Sequence, residues 1–179
     1  SLDDLPTRVE QAWHNARLVP RRDIVLAERP AVADTIRVPR APGAESVSLD
    51  EQHDLVSRYN AILLGHPQIV DTQAAYVDQM ITVTYANSEG TRIVEERPMA
   101  HVSLVATARD GTNVQRSGDG TSSAAGYPAL LELDGLANRV AQRATDLLSA
   151  ETVVGGVYPV VCDPRLAGVF VHEAFGHLS

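Results

Sequence analysis

The sequence lacks several features that would point to particular classes of protein. Cys162 is the only cysteine, so no intrachain disulfide can form, which favours a cytoplasmic setting. No run of about 18 apolar residues is present, which argues against a transmembrane helix. The acidic N-terminal region does not resemble a signal peptide. The net charge of -8 at pH 7 argues against direct nucleic-acid binding, because phosphates require a basic surface.

Aromatic residues are also scarce, at 4% of the chain, whereas hydrophobic residues as a whole reach 44%. The core must therefore consist of valine, leucine, isoleucine and alanine. The length of 179 residues suits one domain, or one domain and part of another. The chain opens at Ser1 without a methionine and ends within a helical pattern, so we expect it to be an internal part of a longer protein.

Hydrophobic periodicity predicts an α+β fold. Apolar residues recur at helical spacing over 4–19, 48–64, 131–150 and 166–178, and Ser48 with Glu51 forms a capping box for the second helix. Strands are predicted over 69–86, 91–96, 100–108 and 113–117, with short extended pieces at 24–26 and 35–38. Turns at 87–90 and 109–112 join the long strands into an antiparallel β-meander, which we expect to pack with helices on one side.

Three further segments have less regular patterns. Pro98 is expected to interrupt the sheet, since proline donates no backbone hydrogen bond. The glycine-rich segment 117–123 is predicted to be a loop; a phosphate-binding loop is the alternative, but the usual lysine and serine or threonine do not follow it. Residues 152–161 are rich in valine and predict a buried strand, with Cys162 as a buried thiol at its end.

The sequence His172-Glu173-Ala174-Phe175-Gly176-His177 has the residue types of a hydrolytic metal centre. Imidazoles bind zinc, and a neighbouring glutamate can accept a proton from a water molecule. In a regular α-helix, however, side chains five residues apart point about 140° away from each other. His172 and His177 can share one ion only if the helix widens or ends between them, which Gly176 permits. The alternative is a helix with two unrelated histidines and a surface glutamate. The remaining histidines have no partner at ligand spacing and are expected to have structural or surface roles.

The surroundings of this motif resemble the TldD/PmbA family, whose members are also described as modulators of DNA gyrase. The resemblance rests on Tyr158-Pro159-Val160-Val161, Asp163-Pro164 and the continuous stretch 167–177, together with Asn87-Ser88-Glu89-Gly90-Thr91 between two strands. It covers most of the chain, strongly at 151–178 and weakly at 20–47.

The resemblance implies a zinc metalloprotease that cleaves peptides or unfolded polypeptides in the cytoplasm. It also implies that His172 and His177 are zinc ligands, that Glu173 is the general base, and that this chain is of the catalytic type. A cysteine beyond this chain is implied as the third ligand, so we expect this chain alone to bind zinc weakly or not at all. A homo- or hetero-oligomer with a related subunit is expected, without direct contact to nucleic acid or membrane.

We further expect residues 1–150 to form a central α+β module. Residues 151–179 would then contribute the first strand and the motif helix of a truncated catalytic module. Two other functions remain open at this point. One is a non-catalytic, peptide-binding partner subunit, and the other is an interaction protein that modulates gyrase.

Overall fold

The computed structural model describes residues 2–18, 27 and 29–177. Within these residues the elements follow one another as α1 (Leu5–Ala16), β1 (Ala33–Arg37), α2 (Leu49–Leu64), β2 (Ile69–Ala86), β3 (Arg92–Asp110), β4 (Asn113–Ser123), α3 (Asp134–Asp146) and α4 (Pro164–Val171). Short 3-10 helices lie at Leu2–Asp4 and Tyr127–Leu130, and a π-helix at His172–Gly176 continues α4. The predicted α+β class is confirmed.

The four strands form one mixed sheet. β2, β3 and β4 make the predicted antiparallel meander, in which β2 pairs with β3 from Ile69 opposite Ala108 to Ala86 opposite Arg92. On the other side of β3, β4 pairs with its second half and β1 pairs with its first half. β1 runs parallel to β3, so the sheet is mixed, with the predicted antiparallel meander extended by one parallel strand. The predicted extended piece at 35–38 overlaps β1, whereas the piece at 24–26 lies outside the described residues.

The core lies between one face of the sheet and the helices α2 and α3. Alternate residues of β3 point into it, because successive side chains of a strand face opposite sides. Small and aliphatic side chains dominate this core, as the shortage of aromatic residues requires. Its buried members are Leu55, Tyr59 and Leu63 from α2; Ala100, Val102, Leu104, Ala106 and Ala108 from β3; Leu130; and Ala137, Val140, Ala141 and Ala144 from α3.

The start of α2 has the predicted capping box. The Ser48 hydroxyl accepts a hydrogen bond from the Glu51 backbone N–H at 3.2 Å, and the Glu51 carboxylate accepts one from the Ser48 N–H at 2.8 Å. The two donors at the helix N-terminus are thereby satisfied. At the predicted turn after β2, Gly90 has a φ of 90°, a conformation that favours glycine.

Pro98 does not interrupt the sheet, and the two strands predicted on either side of it form the single strand β3. Pro98 lies opposite Met80 of β2. On the other side of β3, the pairing with β1 ends at Glu96 and the pairing with β4 begins at Ala100. Pro98 therefore occupies a gap between two partner strands, where its missing N–H is tolerated.

The segment 117–123 is strand rather than loop, because β4 extends to Ser123. Close packing requires a glycine at position 120 of this segment. A Cβ atom at Gly120 would lie 2.7 Å from the Val102 carbonyl oxygen and 3.0 Å from Cε1 of His101. The phosphate-binding alternative also fails, since this segment does not lead into a helix N-terminus.

The predicted buried strand at 152–161 is wrong. This segment forms neither helix nor strand, and its valines are exposed, with Val157 at 103% and Val161 at 98%. A strand is stable only when it is paired, and no described strand lies beside this segment. Cys162, predicted to be buried, is exposed.

The helices begin and end close to their predicted limits, with two differences. α3 is shorter than predicted at both ends, since it spans Asp134–Asp146 rather than 131–150. The apolar face predicted for α1 exists but is not covered, since Leu5, Val9 and Trp13 are each more than half exposed. Among the described residues, no helix is long and apolar enough to cross a membrane.

Candidate metal centre

The helix that carries the histidines begins at a side-chain cap. Oδ1 of Asp163 accepts a hydrogen bond of 2.8 Å from the backbone N–H of Leu166, and Pro164 occupies the first turn, where a proline costs no hydrogen bond. α4 then continues for two turns of regular helix to Val171. The backbone up to this point is what the sequence Asp163-Pro164 predicts.

The helix widens at the motif. Residues His172–Gly176 form a π-helical turn, in which backbone bonds join residues five apart instead of four. The side chains of His172 and His177, which a regular helix would direct away from each other, lie together with ring centroids 4.5 Å apart and an interplanar angle of 72°. The widening that the five-residue spacing requires is therefore present.

Gly176 contributes to this arrangement through its missing side chain. A Cβ atom at Gly176 would lie 3.3 Å from Nδ1 of His172, closer than most side-chain contacts allow. The imidazole of His172 thus occupies space that glycine leaves open beside His177.

Glu173 completes a group of three candidate donors. Nδ1 or Nε2 of the two histidines and a carboxylate oxygen of Glu173 all lie within 4.8 Å of one another, and Nε2 of His177 is 3.9 Å from Oε2 of Glu173. Within the described part of the chain, this is the one group of three or more histidine, cysteine or acidic side chains close enough to share an ion.

These donors fit a zinc ion in type, and their spacing is close to what zinc requires. Zinc binds imidazole nitrogen and carboxylate oxygen at about 2.0–2.2 Å, so two donors on one ion lie at most about 4 Å apart. The observed spread is slightly larger, and small side-chain rotations would close it, since the side chains of His177 and Glu173 are 62% and 67% exposed.

The other histidines lie away from this group, as the sequence predicted. His66 contacts Oδ1 of Asn138 through Nε2 at 3.0 Å, and His101 contacts the hydroxyl of Ser122 through Nδ1 at 2.9 Å. Both are cross-element polar contacts of the central α+β region. Cys162 does not join the candidate donors.

One contact of the motif helix has no signal in the sequence. Arg165, in the first turn of α4, forms two hydrogen bonds with the carboxylate of Asp119 in β4. No local pattern reveals this pair, because the two residues are 46 positions apart in the sequence.

The α+β region that precedes the motif helix is of a class of domain found in metallopeptidases. Residues 42–148 match the PmbA/TldA metallopeptidase central domain, so the chain belongs to the PmbA/TldD family. It is 39% identical over 179 residues to a metalloprotease of Synechocystis sp., covering 99% of this chain and 39% of that protein. It is 27% identical over 152 residues to a zinc metalloprotease TldD homolog of Saccharolobus solfataricus, covering 84% of this chain and 34% of that one.

A solved structure has the same fold. It comes from Thermotoga maritima, is described as a candidate modulator of a DNA gyrase, and matches 82% of this chain with a TM-score of 0.58 and 20% sequence identity. Our chain covers 33% of that structure. The chain therefore spans between a third and two fifths of the length of these relatives.

Proposed function

We propose that this chain is part of a zinc-dependent peptidase in which His172 and His177 bind the metal and Glu173 is the general base. The observation that carries this proposal is the π-helical turn, which brings the three side chains together despite their spacing. A helix with two unrelated histidines would have no need of a widened turn at this point. The name of the Saccharolobus relative supports zinc as the metal.

Bound zinc would supply Lewis acidity that polarises the scissile carbonyl of a peptide. The work of the chain itself falls to Glu173. Its carboxylate would accept the proton of the attacking water and pass it to the departing amine. This transfer requires the carboxylate to lie within hydrogen-bond reach of both the water and the amine. Its position beside His172 in the sequence and 3.9 Å from His177 supports this role.

The proposed substrates are peptides or unfolded polypeptides. Two features support this class. The candidate donors lie on an exposed turn that an extended chain can reach, and relatives over almost the whole of this sequence are named metalloproteases. We place the protein in the cytoplasm, which its single cysteine favours.

We also propose that the working form is an assembly with a related subunit and that the chain divides near residue 150. The family match ends at residue 148, and no residue of 151–177 is buried. Exposed valines of this segment, such as Val157 and Val161, would be covered in a larger assembly. Residues 151–179 then belong to the catalytic module.

The deciding experiment uses the whole protein that contains this chain. We expect Glu173→Gln to reduce peptide hydrolysis by about 10²-fold or more, because a general base contributes about that much. Its zinc content should remain equal to that of the wild type, whereas His172→Ala and His177→Ala should lose both zinc and hydrolysis. Glu151→Gln, an exposed glutamate outside the turn, is the matched control. Unchanged hydrolysis in Glu173→Gln would refute the assignment.

A second candidate is modulation of gyrase, which the description of the Thermotoga structure suggests. Contact with another protein would then replace hydrolysis, since the net charge of -8 disfavours direct binding to DNA. Whole protein that holds no stoichiometric zinc and alters gyrase supercoiling equally with and without Glu173→Gln would favour this function.

A further inference from the structure

The contact between Arg165 and Asp119 joins the motif helix to the sheet. Asp119 lies on the helix-facing side of β4, opposite Leu104 of β3, and its side chain is only 9% exposed. Nη1 and Nη2 of Arg165 donate to the two carboxylate oxygens at 3.0 and 2.8 Å. Such bidentate pairs are stronger and more directional than single ion pairs.

The carboxylate of Asp119 is itself held in place by the central α+β region. The backbone N–H of Gly120 donates to Oδ1 at 2.8 Å, and Arg143 of α3 lies 3.3 Å from Oδ2. The guanidinium of Arg165, with these two donors, keeps the pKa of Asp119 well below its usual range, although burial acts in the opposite direction. Arg165 thus binds a fixed, ionised group.

Because of the position of Arg165 in α4, its bond to Asp119 affects the direction of the side chains in the candidate metal centre. His172 is seven positions after Arg165, which is close to two full turns of helix. The two side chains therefore project from nearly the same face of the helix, about 10 Å apart along its axis. A bond at Arg165 therefore determines how the helix is rotated about its axis, and with it the direction of His172.

Apolar packing contributes little to the orientation of α4. No residue of 151–177 is buried, and the segment before α4 has no helix or strand. An α-helix of 8 residues is also only marginally stable in water by itself. Without the bond to Asp119, α4 would be free to turn and fray.

We propose that Asp119 is a positioning residue that, by binding Arg165, orients α4 and so directs the His172–His177 turn relative to the central sheet. The proposal rests on the proposed function only for its consequence in catalysis. The orientation of the helix can be measured without metal or substrate.

The test is amide hydrogen exchange, followed by mass spectrometry on the 179-residue chain. We expect Asp119→Asn and Arg165→Gln each to accelerate exchange in 164–177 by about tenfold, the loss of one charge-assisted pair. Exchange in β2 and β3 should stay as in the wild type. The double variant should be no faster than either single variant, because both remove the same bond. Exchange in Arg165→Lys, which keeps the charge but not the bidentate geometry, should be faster than in the wild type and slower than in Arg165→Gln.

Arg116→Gln is the matched control for Arg165→Gln, since it removes an exposed arginine of β4 and changes the net charge by the same amount and in the same direction. Exchange in 164–177 that is no faster in Arg165→Gln than in this control would overturn the proposal. Equal acceleration throughout the sheet would also overturn it, because the pair would then stabilise the whole domain. In the whole protein, Arg165→Gln should lower kcat more than it changes KM. If hydrolysis is absent altogether, the proposed function fails while the exchange result still decides the positioning role.

Discussion

The stability of the central region should depend strongly on one hydroxyl group, that of Tyr59. This residue of α2 is fully buried, and its hydroxyl donates to the carbonyl of Leu130 and accepts from the backbone N–H of Leu133 at 3.2 Å. Arg58 donates to the same oxygen at 3.1 Å. The hydroxyl therefore ties α2 to the chain that leads into α3.

Tyr59→Phe keeps the ring and removes these bonds. Arg58 retains other partners, including Asp134 at 3.2 Å, so the loss of its bond to the Tyr59 hydroxyl costs little. The carbonyl of Leu130 and the N–H of Leu133 lose their partner, and each unsatisfied group of this kind costs about 1–3 kcal/mol. Because the carbonyl can accept elsewhere, we take the lower part of this range for each of the two groups. Together they predict a loss of about 2–4 kcal/mol in the free energy of unfolding.

Urea unfolding followed by circular dichroism measures this change. The midpoint should fall with an unchanged m-value, and Tm should fall by about 5–15 °C for a chain of this size. Tyr85→Phe is the matched control, because Tyr85 is 53% exposed and its variant should stay within about 0.5 kcal/mol of the wild type. Equal midpoints for the two variants would refute the reasoning that the buried hydroxyl is required.

Two other predictions concern β4. Gly120→Ala would place a Cβ 2.7 Å from the backbone oxygen of Val102 and should lower the free energy of unfolding by about 1–3 kcal/mol, measured in urea. Gly155→Ala is the control and should not destabilise the chain, because a Cβ there meets nothing within 4 Å. Equal stability of the two variants would contradict this packing argument. The pKa of Asp119 is lowered chiefly by Arg165, so the charge on Asp119 stabilises the folded state fully above the ordinary carboxyl pKa of about 4, and this stabilisation is lost as the pH falls towards the lowered value. The difference in unfolding free energy between the wild type and Asp119→Asn should therefore be constant from pH 7 to pH 5 and shrink below about pH 4; a difference that already shrinks between pH 7 and pH 5 would contradict the lowered pKa.

Local patterns predicted the elements whose stability is local. The capping box of Ser48 and Glu51 fixed the start of α2, and alternation over 69–86 predicted β2, because these signals act within a few residues. The five-residue spacing of His172 and His177 likewise predicted that the helix widens or ends if they share one ion, and the structure has the widened turn.

The errors arose where distant residues decide the outcome. Pro98 is accommodated because β1 and β4 leave a gap beside it, and Gly120 is needed because β3 passes close by. Residues 152–161 have the composition of a strand but no partner among the described residues. Composition cannot show whether a partner strand is present.

For the candidate site, the sequence by itself determined which side chains could bind metal and that their helix must depart from regular geometry if the two histidines share one ion. Both follow from residue chemistry and from the rotation per residue of a helix. Only the tertiary structure decided how that helix is held. The bond from Arg165 to Asp119 depends on the register of β4 and on the placement of α3, which are set by packing over long distances along the chain and leave no local trace in the sequence.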